Sequence, residues 1–377
     1  MARTVKHFSL HRITGTELRV VADVEAGVLP VVQVEEAVIR GYTQQGLWPH
    51  RWVTLFVLQD LQPLVRQLTP TPPLPLAGGG SKGGRADPSG LRAEALKAEG
   101  LSISGRSLPP GGAAALNHRP VVNVYDLADP AGCHVFVNRL AMAKEGYWDD
   151  ALAIRGLLAH EHAHPLAENE ATRASRQLRF AISDFGFQIE IENRKSKIRN
   201  LLTLLADKLC LYAPRELFAN EMTIHSGFSE ALFHLDRRTV ANASRSVAGR
   251  EDLRRQLQQE LAQGYLTPTV ADVLLLIGDL KGYLDLALEV APFYRTGRES
   301  DARELEAVLE AEVFPHLEPE VPRAYIALRE QYIALRADLT PPELTAWGEG
   351  VLNILAEALA EKGLVLQYHL RIDKGDA

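Results

Sequence analysis

The stretch Ala151-Leu-Ala-Ile-Arg-Gly-Leu-Leu-Ala-His160-Glu161-His162-Ala163-His164-Pro165 decides how this chain is read. Asp149 and Asp150, just before it, can each accept the free N–H groups of a first helical turn. Ala151, Ile154, Leu157 and Leu158 recur at helical spacing, which predicts an amphipathic helix. His160 and His164 lie four residues apart, about 40° around such a helix and about 6 Å along it, so both imidazoles can reach one ion. Neutral imidazole is the usual histidine ligand of zinc, and a catalytic zinc site keeps one position open for water. Glu161 flanks that face, where it can take a proton from the water and return it to a leaving amine.

The surroundings of the motif matter as much as its spacing. Pro165 disfavours helix at His164 and removes an N–H, so the chain is expected to turn away just past the second histidine. His162, about 200° from His160, is expected to pack on the opposite side of the helix. Gly156 costs about 1 kcal/mol against alanine in a helix interior, and a close approach by a neighbouring backbone would account for it. The bland alternative is a histidine-rich helix end, its imidazoles drawn to the negative end of the dipole.

A zinc site of this kind needs a third protein ligand, and three candidates stand in the sequence. Glu216 opens Glu216-Leu-Phe-Ala219-Asn220 at the head of a second helical stretch after Pro214. Glu170 stands at the end of H-E-x-x-H-x-x-A-x-x-E, an arrangement that in metzincins uses glycine where this chain has Ala167. Glu190 and Glu192 follow His164 at a thermolysin-like separation, within a charged run that is more simply a solvated face. Tyr212, His225 and His234 are the side chains near the second motif that could assist a transition state, and spacing distinguishes none of them.

H-E-x-x-H followed by E-x-x-A-N on a later helix resembles the gluzincin metallopeptidases, particularly the ImmA/IrrE-like and HtpX-like groups. The resemblance spans roughly residues 118–240. It implies one Zn2+ per chain held by His160, His164 and Glu216, with Glu161 as general base and Asn220 orienting a ligand. It also implies a zincin-like core that hydrolyses peptide bonds in a peptide or unfolded protein substrate. The alternative is a zinc protein without turnover, in which the metal organises a binding or regulatory module.

Working outward, the chain of 377 residues predicts several units of α+β class. Leu18–Val24 and Trp52–Leu58 look like strands and 34–45 has helical spacing, which suggests a small α/β unit over 1–69. His7, His11 and His50 in that unit are scattered and read as surface or capping residues. Residues 70–114 hold seven prolines and ten glycines without Phe, Tyr, Trp or Val, the composition of a linker, with a short helix at 91–99. Val121–Tyr125 and His134–Asn138 predict two strands of a short antiparallel sheet in a zincin-like core over 115–243, the second a candidate edge for a substrate peptide. Beyond it, 244–377 reads as helices near 250–263, 268–290, 301–314, 321–336 and 341–362, ending in a strand at 364–372. The repeat Ile326-Ala-Leu-Arg and Ile333-Ala-Leu-Arg gives one helix a seam for a neighbour, and the whole region is expected to cover one side of the cleft.

Charge and cysteine usage narrow the setting. A net charge of −7 argues against a partner bound through nucleic-acid phosphates. Two cysteines without a CxxC pair exclude a disulfide framework and fit a reducing compartment. The N-terminal residues lead into no apolar run, and the greasiest stretch, 270–288, carries four charged residues, so neither a secretory signal nor a membrane span is expected. The cytoplasm is the expected location. Nothing in the sequence fixes the oligomeric state.

Overall fold

A computed structural model describes residues 5–62, 118–125, 131–186 and 192–372. The expected linker at 70–114 and its short helix lie outside the described residues. The chain divides into two compact units, Met1–Ile154 and Arg155–Ala377.

The first unit is built on a mixed five-stranded sheet. Strands β1 (His7–Ile13) and β2 (Thr16–Ala22) form a hairpin, α1 (Val28–Gln44) crosses over to β3 (Trp52–Leu58), and β4 (Val121–Tyr125) and β5 (Gly132–Asn138) complete the order β1-β2-β3-β5-β4. β2, β3 and β5 run parallel, while β1 and β4 are antiparallel to their neighbours. A parallel step needs a crossover, which is the task of α1 between β2 and β3. Val53, Leu55 and Val57 alternate with Phe56, and Val135 and Val137 with Phe136, so both faces of the central strands are buried. On one face Phe56 stacks on Phe136 with Leu61, Val122 and Val124 around them. A short helix, α2 (Arg139–Lys144), follows β5 and is capped by the Asn138 side chain.

Three expectations change here. The sequence separates 1–69 from 115–243, yet β3 of the first stretch pairs along its whole length with β5 of the second. The sheet is mixed rather than short and antiparallel, because the continuous apolar runs of β3 and β5 suit strands covered on both faces. His134–Asn138 is also not an edge: β3 occupies one side of β5 and β4 the other. Its hydrogen-bonding groups are committed to the sheet, and among the described residues the edge strands are β1 and β4.

The second unit is mostly helical. It takes over in the first turn of α3 (Ala151–Leu166), then adds α4 (Glu170–Ser175), β6 (Leu178–Gly186) and α5 (Glu192–Ala206). A wide π-type turn at Asp207–Tyr212 leads into α6 (Ala213–Thr223), and a second at Ile224–Phe228, bent at Gly227 with φ 77°, leads into α7 (Ser229–Ala262). Then come α8 (Pro268–Tyr283), α9 (Ala287–Arg295), α10 (Glu299–Val308), α11 (Glu320–Ile333), α12 (Pro341–Ala360) and β7 (Val365–Ile372). β7 pairs antiparallel with β6, matching Leu178 with Ile372.

No boundary falls at 243. α7 runs through that position, and the later helices pack on the motif helices themselves. Arg295 of α9 pairs with Glu221 of α6 and donates to the carbonyls of Tyr332 and Ile333 at 3.0 and 2.8 Å, capping the end of α11. Buried Arg250 of α7 donates to both oxygens of Asp279 of α8 at 2.8 and 2.9 Å. In the repeat, Leu328 on α11 and Leu335 just past its end are buried while Ile326 is exposed, so Leu328 with Tyr325 and Tyr332 makes the helix's inner face. Among the described residues no helix is long and apolar enough to cross a membrane.

Candidate metal centre

α3 starts where the sequence places it. The Asp150 carboxylate accepts from the backbone N–H groups of Leu152 and Ala153 at 3.2 and 3.0 Å. Ile154, Leu158, Ala159 and Ala163 are buried. The helix does not stop at His164. Pro165 sits in its final turn, which the Ala167 N–H closes onto the Ala163 carbonyl at 2.8 Å. Proline removes only one helical hydrogen bond there, and the turn away comes two residues later than expected. Gly156 has the close neighbour its presence asks for: a Cβ at that position would lie 2.6 Å from the Ala231 carbonyl oxygen of α7.

α3 and α6 bring the first three predicted ligands together. His160 Nε2 lies 3.2 Å from Glu216 Oε2, and His164 Nε2 lies 3.8 Å from the same oxygen. The two imidazoles meet edge to face, ring centres 4.7 Å apart. Ligand atoms each about 2.0–2.1 Å from a tetrahedral zinc stand about 3.3 Å from one another, so this spacing suits one ion. Glu161 joins the group, with donor atoms of His160, Glu161 and His164 all within 4.8 Å of one another. It is buried, at 9% exposure, in a weakly screening environment.

Asn220, one turn beyond Glu216 on α6, fixes the ring of His160. Its Oδ1 accepts from His160 Nδ1 at 2.6 Å, and its Nδ2 donates to the Leu288 carbonyl of α9 at 3.2 Å. The second bond settles which way the amide points. With Nδ1 as the donor, the lone pair on Nε2 is left for an ion, the arrangement expected when an outer hydrogen bond sets the tautomer of a metal-binding histidine.

The electrostatics favour a cation. Burial pulls the pKa of His160 down, but its hydrogen bond to Glu216 and the charges of Glu216, Glu161 and Glu289 outweigh that and raise it to about 9. The pocket therefore attracts a proton in place of a metal. Two acids escaped the sequence reading. Burial pushes the Asp236 carboxyl of α7 well up, and its hydrogen bond to Glu289 of α9 adds to the effect; burial raises Glu289 too. No motif announces either residue: Glu289 acts on His160, and Asp236 on Glu289, from distant positions in the sequence.

Other candidates fall elsewhere. Glu170 is exposed in the first turn of α4, where its charge suits the helix start, and it is absent from the described group around His160. Glu190 and the side chain of Glu192 lie outside the described residues. His162 is fully buried. His225 is exposed, and Tyr212 and His234 are half-buried. Both cysteines, Cys133 and Cys210, are buried free thiols.

Comparison with protein-family models, with curated proteins and with solved structures returns no match for this chain.

Proposed function

We propose that the chain is a zinc-dependent metallopeptidase of gluzincin type, with a zincin-like arrangement of α3 and α6 at its centre. The convergence of His160, His164 and Glu216, with Glu161 alongside, carries the reading. Two neutral imidazoles and one carboxylate are a donor set that suits zinc and leaves a fourth position open. Bound there, zinc supplies Lewis acidity, polarising a carbonyl and making a water more acidic.

The chain's own groups account for the rest. Glu161 takes a proton from the attacking water and passes it to the amine that leaves. Asn220 keeps His160 Nε2 directed inward, and the Leu288 carbonyl keeps Asn220 in place. The later helices pack around α6, so the substrates proposed are flexible peptides or locally unfolded chains rather than compact folded proteins. Two buried free thiols support a cytoplasmic setting, and the net charge of −7 favours a peptide over a nucleic-acid partner.

Glu161→Gln tests this against a metal site without turnover. Peptidase activity on an unfolded protein should vanish while zinc stays near one per chain. Loss of zinc together with activity would assign Glu161 to holding the metal, and absence of activity in the unaltered, zinc-loaded chain would sink the enzyme reading.

A further inference from the structure

The first unit carries a second constellation of reactive groups. β1 turns into β2 through Thr14 and Gly15, both at positive φ (45° and 94°), and this tight turn sets the pairing down to His7 opposite Ala22. Strand alternation then puts His7, Ser9 and His11 on one face and Phe8 and Leu10 on the other. Phe8 and Leu10 are exposed, whereas the polar face meets Glu36 of α1.

The contacts there run in a fixed order. Arg40 Nη2 donates to Glu36 Oε2 at 3.0 Å. Glu36 Oε1 lies 2.8 Å from His11 Nδ1. His11 Nε2 lies 2.8 Å from Ser9 Oγ, and His7 Nε2 lies 3.1 Å from the same oxygen. A carboxylate only accepts, so His11 Nδ1 carries the hydrogen, and in the neutral ring its Nε2 accepts the Ser9 O–H. The hydroxyl has one hydrogen to give, so His7 is the donor to Ser9 Oγ. Ser9 therefore stands between a base and a hydrogen-bond donor, and the base is oriented by a carboxylate on its other nitrogen. A ladder serving only to satisfy surface groups gains little over bonds to water. It would have no need for the carboxylate and the hydroxyl to occupy opposite nitrogens of one ring, the order in which an imidazole can take and return a hydroxyl proton.

We propose that Ser9 is a nucleophile activated by His11 and Glu36, accepting acyl groups from activated esters such as aryl esters. As Oγ bonds the carbonyl carbon, its proton passes to His11 Nε2. The bond from that carbon to the leaving oxygen then breaks, and the departing aryl alcohol takes the proton from His11. Water repeats the sequence on the Ser9 ester and releases the acid. His7 donates to Oγ, easing the build-up of negative charge on it before the bond forms. Among the described residues β1 has a sheet neighbour on one side only, and a substrate laid along its other side would meet the N–H groups there.

The test uses the full chain with p-nitrophenyl acetate and, separately, an alkyl fluorophosphonate, read by phenol release and by peptide mass mapping. One adduct on Ser9 is expected, absent in Ser9→Ala. Labelling should be slowed on the order of 100-fold by His11→Gln and less by Glu36→Gln, with thermal melting unchanged in each. It should persist in the presence of a strong chelator, which separates it from the metal-dependent reading of His160. No adduct on Ser9, or a Ser9 adduct formed at the same rate without His11, would overturn the proposal.

Discussion

Gly156 of α3 faces the Ala231 carbonyl of α7 so closely that any Cβ would stand 2.6 Å from its oxygen, and 3.2 Å from the Leu235 Cβ. The obstacles are a backbone carbonyl and a Cβ, neither of which moves when a side chain rotates. Gly156→Ala should therefore destabilise the fold by about 1–3 kcal/mol, through overpacking that exceeds the gain of about 1 kcal/mol in helix propensity. Thermal or denaturant unfolding measures this directly, and a variant as stable as the parent would mean that the two helices are spaced more widely.

Asn220 should matter to metal affinity more than to fold. Asn220→Ala removes the acceptor for His160 Nδ1 and should weaken zinc binding about 10–100-fold. Asn220→Asp keeps an acceptor but loses the donation to Leu288, and should fall in between. Competition against a chromophoric chelator ranks the three proteins, and equal affinities would remove Asn220 from the site.

The choice of third ligand is open to a direct contrast. Glu216→Gln should lower zinc content sharply, because both histidines approach its Oε2. Glu170→Ala should leave it unchanged, since that side chain is exposed on α4. Metal analysis of the two purified variants suffices; zinc lost only from the second would reverse the assignment.

Zinc must compete with a proton. With a pKa of about 9 in the metal-free chain, His160 is protonated at neutral pH, and a bound metal requires the neutral ring. The raised value stabilises the metal-free fold fully below the unfolded pKa of about 6.5 and ceases to do so as pH rises through about 9. Zinc affinity should accordingly climb about tenfold per pH unit within that window and release about one proton per ion from His160. Calorimetry in buffers of differing ionisation enthalpy reads the proton count; a pH-independent affinity would contradict it.

Asp207, in the π-type turn before α6, responds in the opposite sense to a paired carboxylate. Burial raises its pKa to about 6, with Arg179 partly opposing. The fold prefers the neutral acid, so this contribution is complete below the unfolded pKa of about 3.9 and disappears as pH rises through about 6. Asp207→Asn should flatten that part of the stability profile and raise the melting temperature at neutral pH.

How far the sequence reaches is clear from particular residues. The helix under His160 and His164 was legible because its cap, apolar period and ligand spacing all point the same way. Glu216 and Asn220 were legible as a second motif one helical turn long. Glu289, Asp236 and the Leu288 carbonyl were not, since they arrive from α7 and α9 by packing that no local pattern encodes. The error over β5 has the same origin. A short apolar run predicts a strand but says nothing of its neighbours, and β3 is supplied from across a long stretch of chain. His7 and His11 were read as scattered surface residues and Ser9 was passed over, because their partner Glu36 comes from the helix beyond the hairpin.

The pairing of Leu178 with Ile372 ties a strand that follows α3 and α4 to the final strand described. During synthesis, α3 and α6 emerge long before β7, so the ligands can be gathered while β6 still has no partner. Long-range closure of this kind slows folding, and the waiting strand is an open template for other chains. A fragment ending before Val365 would keep every ligand residue yet be prone to aggregate, and in the growing protein early capture of zinc would help hold α3 and α6 together until the last strand arrives.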